Sequence, residues 1–184
     1  MSNGRVVPTP DSSDLPTYRI LIDGQEITKK YHLLALTVTK AVNKIPVAKV
    51  RLLDGDASKE DFEISNTDFF VPGKSIEILA GYHSEESTLF QGMIIRHGIK
   101  SREGRHSILE VECKDEAVKM TVGRKNAYFQ DMTDSDIIAE ILGQYNLTAD
   151  VSSTSYQHPE MIQYYSTDWD YLVERADANG LLVI

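Results

Sequence analysis

The stretch from Val71 to Ile95, VPGKSIEILAGYHSEESTLFQGMII, admits few folds. Ile76, Ile78, Ala80 and Tyr82 alternate with Ser75, Glu77, Leu79 and Gly81, which is the two-residue period of a pleated strand. Phe90, Gly92 and Ile94 alternate in the same way with Gln91, Met93 and Ile95. The intervening His83-Ser84-Glu85-Glu86-Ser87-Thr88 is polar and lacks a helical period, so it predicts an exposed hairpin loop. Pro72-Gly73 punctuates the entry. The pair reads as the wall of a barrel or sandwich, with no residue pattern that suggests catalysis.

Further strands precede and follow this hairpin. Tyr18 to Ile22 alternates and meets Asp23-Gly24, a tight-turn dipeptide, before Gln25-Glu26-Ile27. Leu34, Leu36 and Val38 share one face, as do Ala48, Val50 and Leu52, and Pro46 stands at the start of its run where a missing N–H does least harm. Residues 54–70 form a polar excursion. An EF-hand would need Gly and Glu where Lys59 and Ser65 stand, so this segment reads as a solvated loop. His97 to Arg105 predicts a turn through Gly98 and Gly104, followed by an alternating strand over Ser107 to Cys113. About six or seven short strands before residue 115 predict an antiparallel barrel or sandwich.

Beyond Lys114 the period changes. Asp115 to Met120 suits a short helical turn. Thr133 caps a helix whose first turn holds Asp134 and Asp136, and Ile137, Ile138, Ile141, Leu142 and Tyr145 share its apolar face. Ser166-Thr167-Asp168 opens a second helix with Trp169, Leu172, Val173 and Ala176 inward and Asn179-Gly180 at its end. Leu181 to Ile184 reads as an apolar strand; a natural chain rarely stops there, so we expect this sequence to be a piece of a longer protein.

Composition narrows the function. The 184 residues carry 26% charged side chains and a formal net charge of −9, which disfavours a general nucleic-acid surface. No run approaches the roughly 18 apolar residues of a membrane helix, and Met1 to Pro16 lacks a signal-peptide core, so cytoplasmic synthesis without a membrane anchor is expected. That segment, with Pro8, Pro10 and Pro16, reads as a flexible arm. The lone Cys113 reads as a buried structural residue.

Catalytic and metal signatures are not found in the sequence. It has no HExxH, Walker loop, GxSxG or cysteine-pair spacing. His32, His83, His97, His106 and His158 fall in different elements. Asp168 and Asp170, two apart on a helix, face different directions and favour the helix N-terminus, while Trp169 reads as a core anchor. No cofactor is expected.

Four stretches together resemble the N-terminal hub region of VgrG-type spike proteins of type VI secretion and other contractile injection systems, and the related phage tail hub and late control protein D group. They are Val42 to Pro46 leading into Leu53-Asp54-Gly55-Asp56; Pro72 to Ile78 with Ala80-Gly81-Tyr82 and Leu89-Phe90-Gln91-Gly92; Cys113 to Thr121; and Gln163 through Asp168-Trp169-Asp170-Tyr171-Leu172 to Asn179-Gly180. The resemblance covers about residues 18–184. It implies a mainly β, α+β chain: an arm over 1–16, a hub-type antiparallel β-barrel over 17–125, and the start of an α/β insert with two helices over 126–184.

The role it implies is structural and non-enzymatic: a homotrimeric collar joining a hexameric tail tube to the puncturing spike. It would contact tube and baseplate proteins, carry effector cargo, assemble in the cytoplasm and be delivered outside the cell. Gly81, Tyr82, Phe90 and Gly92 are the barrel-wall candidates for assembly, the glycines suggesting close backbone approach, with Asp168 and Trp169 as candidates in the insert. The rival readings are a ligand- or carbohydrate-binding β-module and a non-catalytic part of a tail-associated cell-wall hydrolase.

Overall fold

The computed structural model describes residues 16–27, 31–55, 62, 64–82, 85–102 and 105–184. The expectations for the arm up to residue 15, for residues 56–61 and 63 of the polar excursion, for the His83-Ser84 tip and for the turn at Gly104 lie outside the described residues.

Seven strands run through the first part of the chain: β1 (Thr17–Ile22), β2 (Gln25–Glu26), β3 (Leu33–Ala41), β4 (Lys44–Asp54), β5 (Ser75–Tyr82), β6 (Glu85–Arg102) and β7 (Arg105–Lys114). They form one antiparallel sheet in the order β2-β1-β5-β6-β7-β4-β3. The Asp23-Gly24 turn has φ of 49° and 77°, the left-handed pair that a two-residue hairpin needs. Ile20 and Ile22 of β1 share one buried cluster with Val50, Ile78, Phe90, Ile94 and Val111, and Leu36 and Val38 of β3 pack on it from the opposite edge. The sheet is therefore curled around its core.

The expected closed barrel is corrected in one respect. Among the described residues no ladder joins β3 to β1 or β2, so the sheet is open. The physical reason is the length of β2, which has two residues and cannot carry a seam. A cleft of about 570 Å³ opens there, between Thr17, Tyr18 and Ile20 on one side and Tyr31, Leu33 and Leu52 on the other.

Two loop expectations also change. Glu85 to Thr88 belong to β6 and pair with Leu79 to Tyr82. Their polarity marks a solvent face: Glu86 pairs with Arg19 on β1, and the Thr88 hydroxyl donates to Glu77 at 2.8 Å. Likewise β6 runs through Gly98 without turning, because Gly98 lies opposite Glu110 in an intact ladder.

A short 3-10 helix over Glu116–Thr121 leads from β7 to a second core. There β8 (Lys125–Thr133) and β9 (Gln157–Ser166) form a two-stranded antiparallel sheet, packed on α1 (Asp134–Gln144) and α2 (Asp168–Ala178). The α1 N-terminus is a capping box: Asp136 N–H donates to the Thr133 hydroxyl at 3.2 Å and Thr133 N–H to the Asp136 carboxylate. Thr167 caps α2 through Asp170 N–H. Sequence periodicity did not reveal β8. Leu181 to Ile184 form no strand; instead Asn43 N–H donates to Val183 O at 2.8 Å and Val183 N–H to Asn43 Oδ1 at 2.9 Å, tying this segment to the β3–β4 turn.

Candidate functional site

The six candidate residues fall into two separate groups, one on the β5–β6 pair of the curled sheet and one at the start of α2. Phe90 is 2% exposed and lies opposite Ile78 inside the curled sheet. Gly92, opposite Ile76, is buried where β6 passes the end of β7, and a Cβ there would lie 2.2 Å from the Lys114 carbonyl oxygen. A Cβ on Gly81 would lie 1.8 Å from the Glu85 carbonyl oxygen. Both glycines thus permit close backbone approach. Tyr82 is 59% exposed at the end of β5 and contributes no core volume. Gly92→Ala is expected to destabilise by about 1–3 kcal/mol, because the obstruction is backbone and can move only with the ladder. Urea denaturation measures this.

Asp168 does more than favour a helix N-terminus. Its buried carboxylate accepts from Lys125 Nζ at 2.6 Å, Gln163 Nε2 at 2.8 Å and the Tyr145 hydroxyl. Trp169 is half-buried on the second core and lines an apolar cleft of about 560 Å³ with Leu142, Leu147 and Leu181.

A counterpart that the sequence did not single out is Asp134, buried at the start of α1. Arg175 holds it with two hydrogen bonds, Nε at 2.6 Å and Nη2 at 3.1 Å. Asn179 Nδ2 donates at 2.8 Å, and His158 Nε2 lies 2.9 Å away. The start of α1 is therefore fastened to the end of α2, and the start of α2, through Asp168, to Tyr145 at the end of α1. Thr133 and Asp136 signalled the α1 cap, but residues 41 apart give no local sign of pairing.

Burial works to raise the Asp134 carboxyl, but hydrogen bonds from Arg175, Asn179 and His158 outweigh it and hold the group well below the usual carboxylate range. Asp168 is lowered in the same way, burial being outweighed by Lys125, Tyr145 and Gln163. Asp54 is a third case: burial is outweighed by Ser65 and by the N–H groups of Ile64, Ser65 and Gly55. These lone pairs are engaged by protein donors, which suits pinning and not proton transfer. Burial pushes the Cys113 thiol up to about 12, which keeps it protonated and unreactive at neutral pH.

These depressed carboxyl values set a pH dependence. Their stabilisation is complete above the unfolded-state value of about 3.9 and is lost as pH falls from there through the lower folded values. The melting temperature is expected to be flat between neutrality and about pH 5 with respect to these groups, and to drop below about pH 4. Asp134→Asn should flatten that drop in a thermal-melt series.

Among the described residues, no three His, Cys, Asp or Glu side chains converge as a metal site, and no helix is long and apolar enough to cross a membrane.

Comparison with solved structures places this fold. The chain resembles the E. coli c3393 protein, described as a component of the type VI secretion system with structural similarity to the T4 bacteriophage tail proteins gp27 and gp5. That match has a TM-score of 0.62 at 15% identity and covers 85% of this chain and 42% of that one. The 43 kDa tail protein of prophage MuSo2 from Shewanella oneidensis matches with a TM-score of 0.65 at 10% identity, over 90% of this chain and 49% of that one. The tail protein from Neisseria meningitidis MC58 matches with a TM-score of 0.61 at 14% identity, over 90% and 46%. The chain spans less than half the length of each. None of the curated proteins compared with it matches. The fold is thus similar to that of two phage-type tail proteins and a type VI secretion component, and a family model matches residues 12–184 nearly end to end. By that match the chain belongs to the Alg8 N-terminal domain family.

Proposed function

We propose that this chain is part of the hub at the base of the spike in a contractile injection apparatus, of the type VI or phage-tail-like kind. It would join the tail tube to the puncturing tip. The observation that carries this reading is the shared fold: a curled antiparallel sheet followed by the helix-backed β8–β9 unit, in a chain matched over 85–90% of its length by two tail proteins and a type VI secretion component. Gly81 and Gly92 fit it, since they let neighbouring backbones approach closely in the curled sheet.

The role is non-catalytic. Asp134 and Asp168 have protein partners in place and act as pins. In the assembled particle the protein forms a homotrimer that meets a hexameric tube and the baseplate, and it supports effector cargo.

Light scattering on the native-length protein carrying this chain, over a range of concentrations, tests the trimer. A mass of three subunits that persists on dilution is the expected result. A concentration-independent monomer overturns the collar. Co-sedimentation with assembled tail tubes tests the second contact.

A further inference from the structure

The formal charge of the chain is unevenly placed. Residues 126–184 contain ten acidic side chains and a single basic one, Arg175, so the whole −9 resides there, while residues 1–125 hold 18 of each sign. The β8–β9 sheet lies in this acidic part except for Lys125, the first residue of β8, which is paired with buried Asp168. Its inner face packs Phe129 and Met161 on the helices. Its outer face has no covering element among the described residues.

That outer face is not the charged surface expected of a solvated sheet. Tyr128 lies directly opposite Ile162, which is 59% exposed, and Tyr164 follows on the same face, 83% exposed. Asn126, Gln130 and Glu160 border this strip, and Gln130 pairs with Glu160. Three large side chains exposed side by side form the kind of patch that marks a protein interface, and tyrosine gives such patches area at little entropic cost.

The backbone is bent to enlarge the display. On a regular strand Tyr165 would turn inward beside buried Gln163, since successive side chains alternate. Instead Tyr165 has φ of 43°, in the left-handed region that bulky residues avoid, and is exposed like its neighbour. Two contacts hold it there: Asn126 Oδ1 accepts from Tyr165 N–H at 2.8 Å, and the Arg124 guanidinium lies 5.1 Å from the ring centre. Strain kept at a surface position with dedicated supports points to a use for the surface.

We infer that the outer face of β8–β9 is a docking surface for a basic protein segment, which lays apolar side chains over Tyr128, Ile162 and Tyr164 and directs Lys or Arg toward Glu160 and Asp131. Charge complementarity selects this occupant. An acidic segment would meet Glu160 and Asp131 beside the strip, whereas a cationic one is steered toward them by the net negative charge of residues 126–184. The surface lies apart from the curled sheet and from the buried carboxylates, and the inference stands whether or not the chain acts in an injection apparatus.

The test uses the whole chain, labelled with ¹⁵N, and three probes: a ten-residue peptide of alternating Lys and Val, its Glu and Val counterpart, and chitohexaose as a neutral glycan. The Lys/Val peptide is expected to shift amide resonances confined to β8 and β9. Its affinity should fall at least tenfold in the Ile162→Ser/Tyr164→Ser variant and several-fold in Glu160→Gln. Leu34→Ser, an exposed change on the other sheet, should leave binding unaltered. All three variants are at exposed positions, and unchanged melting temperatures confirm that they fold.

Equal binding of the Glu/Val peptide, shifts outside β8–β9, no binding at millimolar peptide, or indifference to the Ile162/Tyr164 change each overturns the inference. Saturation of the same resonances by chitohexaose alone assigns the face to a glycan and likewise overturns it. Concentration-dependent broadening of these resonances without any probe assigns the face to a second copy of the chain and likewise overturns it.

Discussion

Asp134→Ala is expected to destabilise the protein by about 3–5 kcal/mol, the range for breaking a buried ion pair by removing one partner. The loss of the carboxylate leaves Arg175, whose side chain is only 15% exposed, without its counter-charge. Asn179 loses its bond to the same carboxylate, and His158 loses its neighbour. The helices then lose the fastening between the start of α1 and the end of α2. Urea denaturation followed by fluorescence of Trp169, the single tryptophan, reads this core directly. Glu110→Ala is the comparison: its partners Arg51 and Lys100 have more than half their side-chain surface in water, and such pairs contribute about 0–1 kcal/mol. Replacing Asp134 and Arg175 together with leucine should recover much of the loss, because no charge is then left buried. A result near zero for Asp134→Ala would falsify the pinning role.

Phe90→Ala is expected to cost about 3–5 kcal/mol as well, by a different route. Phe90 sits among Ile78, Ile94 and Val111, in a core closed by strands that cannot collapse inward without breaking their ladders. The transfer free energy of the ring is lost and a cavity remains. Tyr82→Ala, eight residues earlier and largely in water, should change stability by less than about 0.5 kcal/mol. Far-UV circular dichroism in urea measures both. Comparable effects at the two positions would show that the β5–β6 hairpin is not divided into a buried body and an exposed tip.

The contrast between these residues shows what could be read in advance. Alternation placed Phe90 on one face of a strand, because the side-chain period of two is a local property of extended backbone. The same alternation put Tyr82 with Ile76 and Ile78, yet Tyr82 is exposed. Tyr82 is the last residue of β5 and stands beyond the buried cluster that holds Ile76 and Ile78. The polar run from Glu85 to Thr88 was expected to be loop, since polarity was the visible signal. Its partners Arg19 and Glu77 come from other strands and are invisible locally.

The helices behaved differently. Thr133 and Thr167 were legible as caps because a cap bonds to an N–H three residues on. Asp168 was legible only as an acid in a first turn, while its partners Lys125, Tyr145 and Gln163 come from three other elements.

The strand-then-helix order, the caps, the tight Asp23-Gly24 turn and most of the apolar faces follow from local sequence, because they depend on neighbours within about four residues along the chain. Tertiary structure alone decided that the sheet stays open at β2 and β3, that Asp134 and Asp168 are buried and paired, and that Tyr128, Ile162 and Tyr164 share an exposed face. Those outcomes depend on which distant segments meet, and a carboxylate or a tyrosine has the same local signature whether it ends in water or beneath a helix.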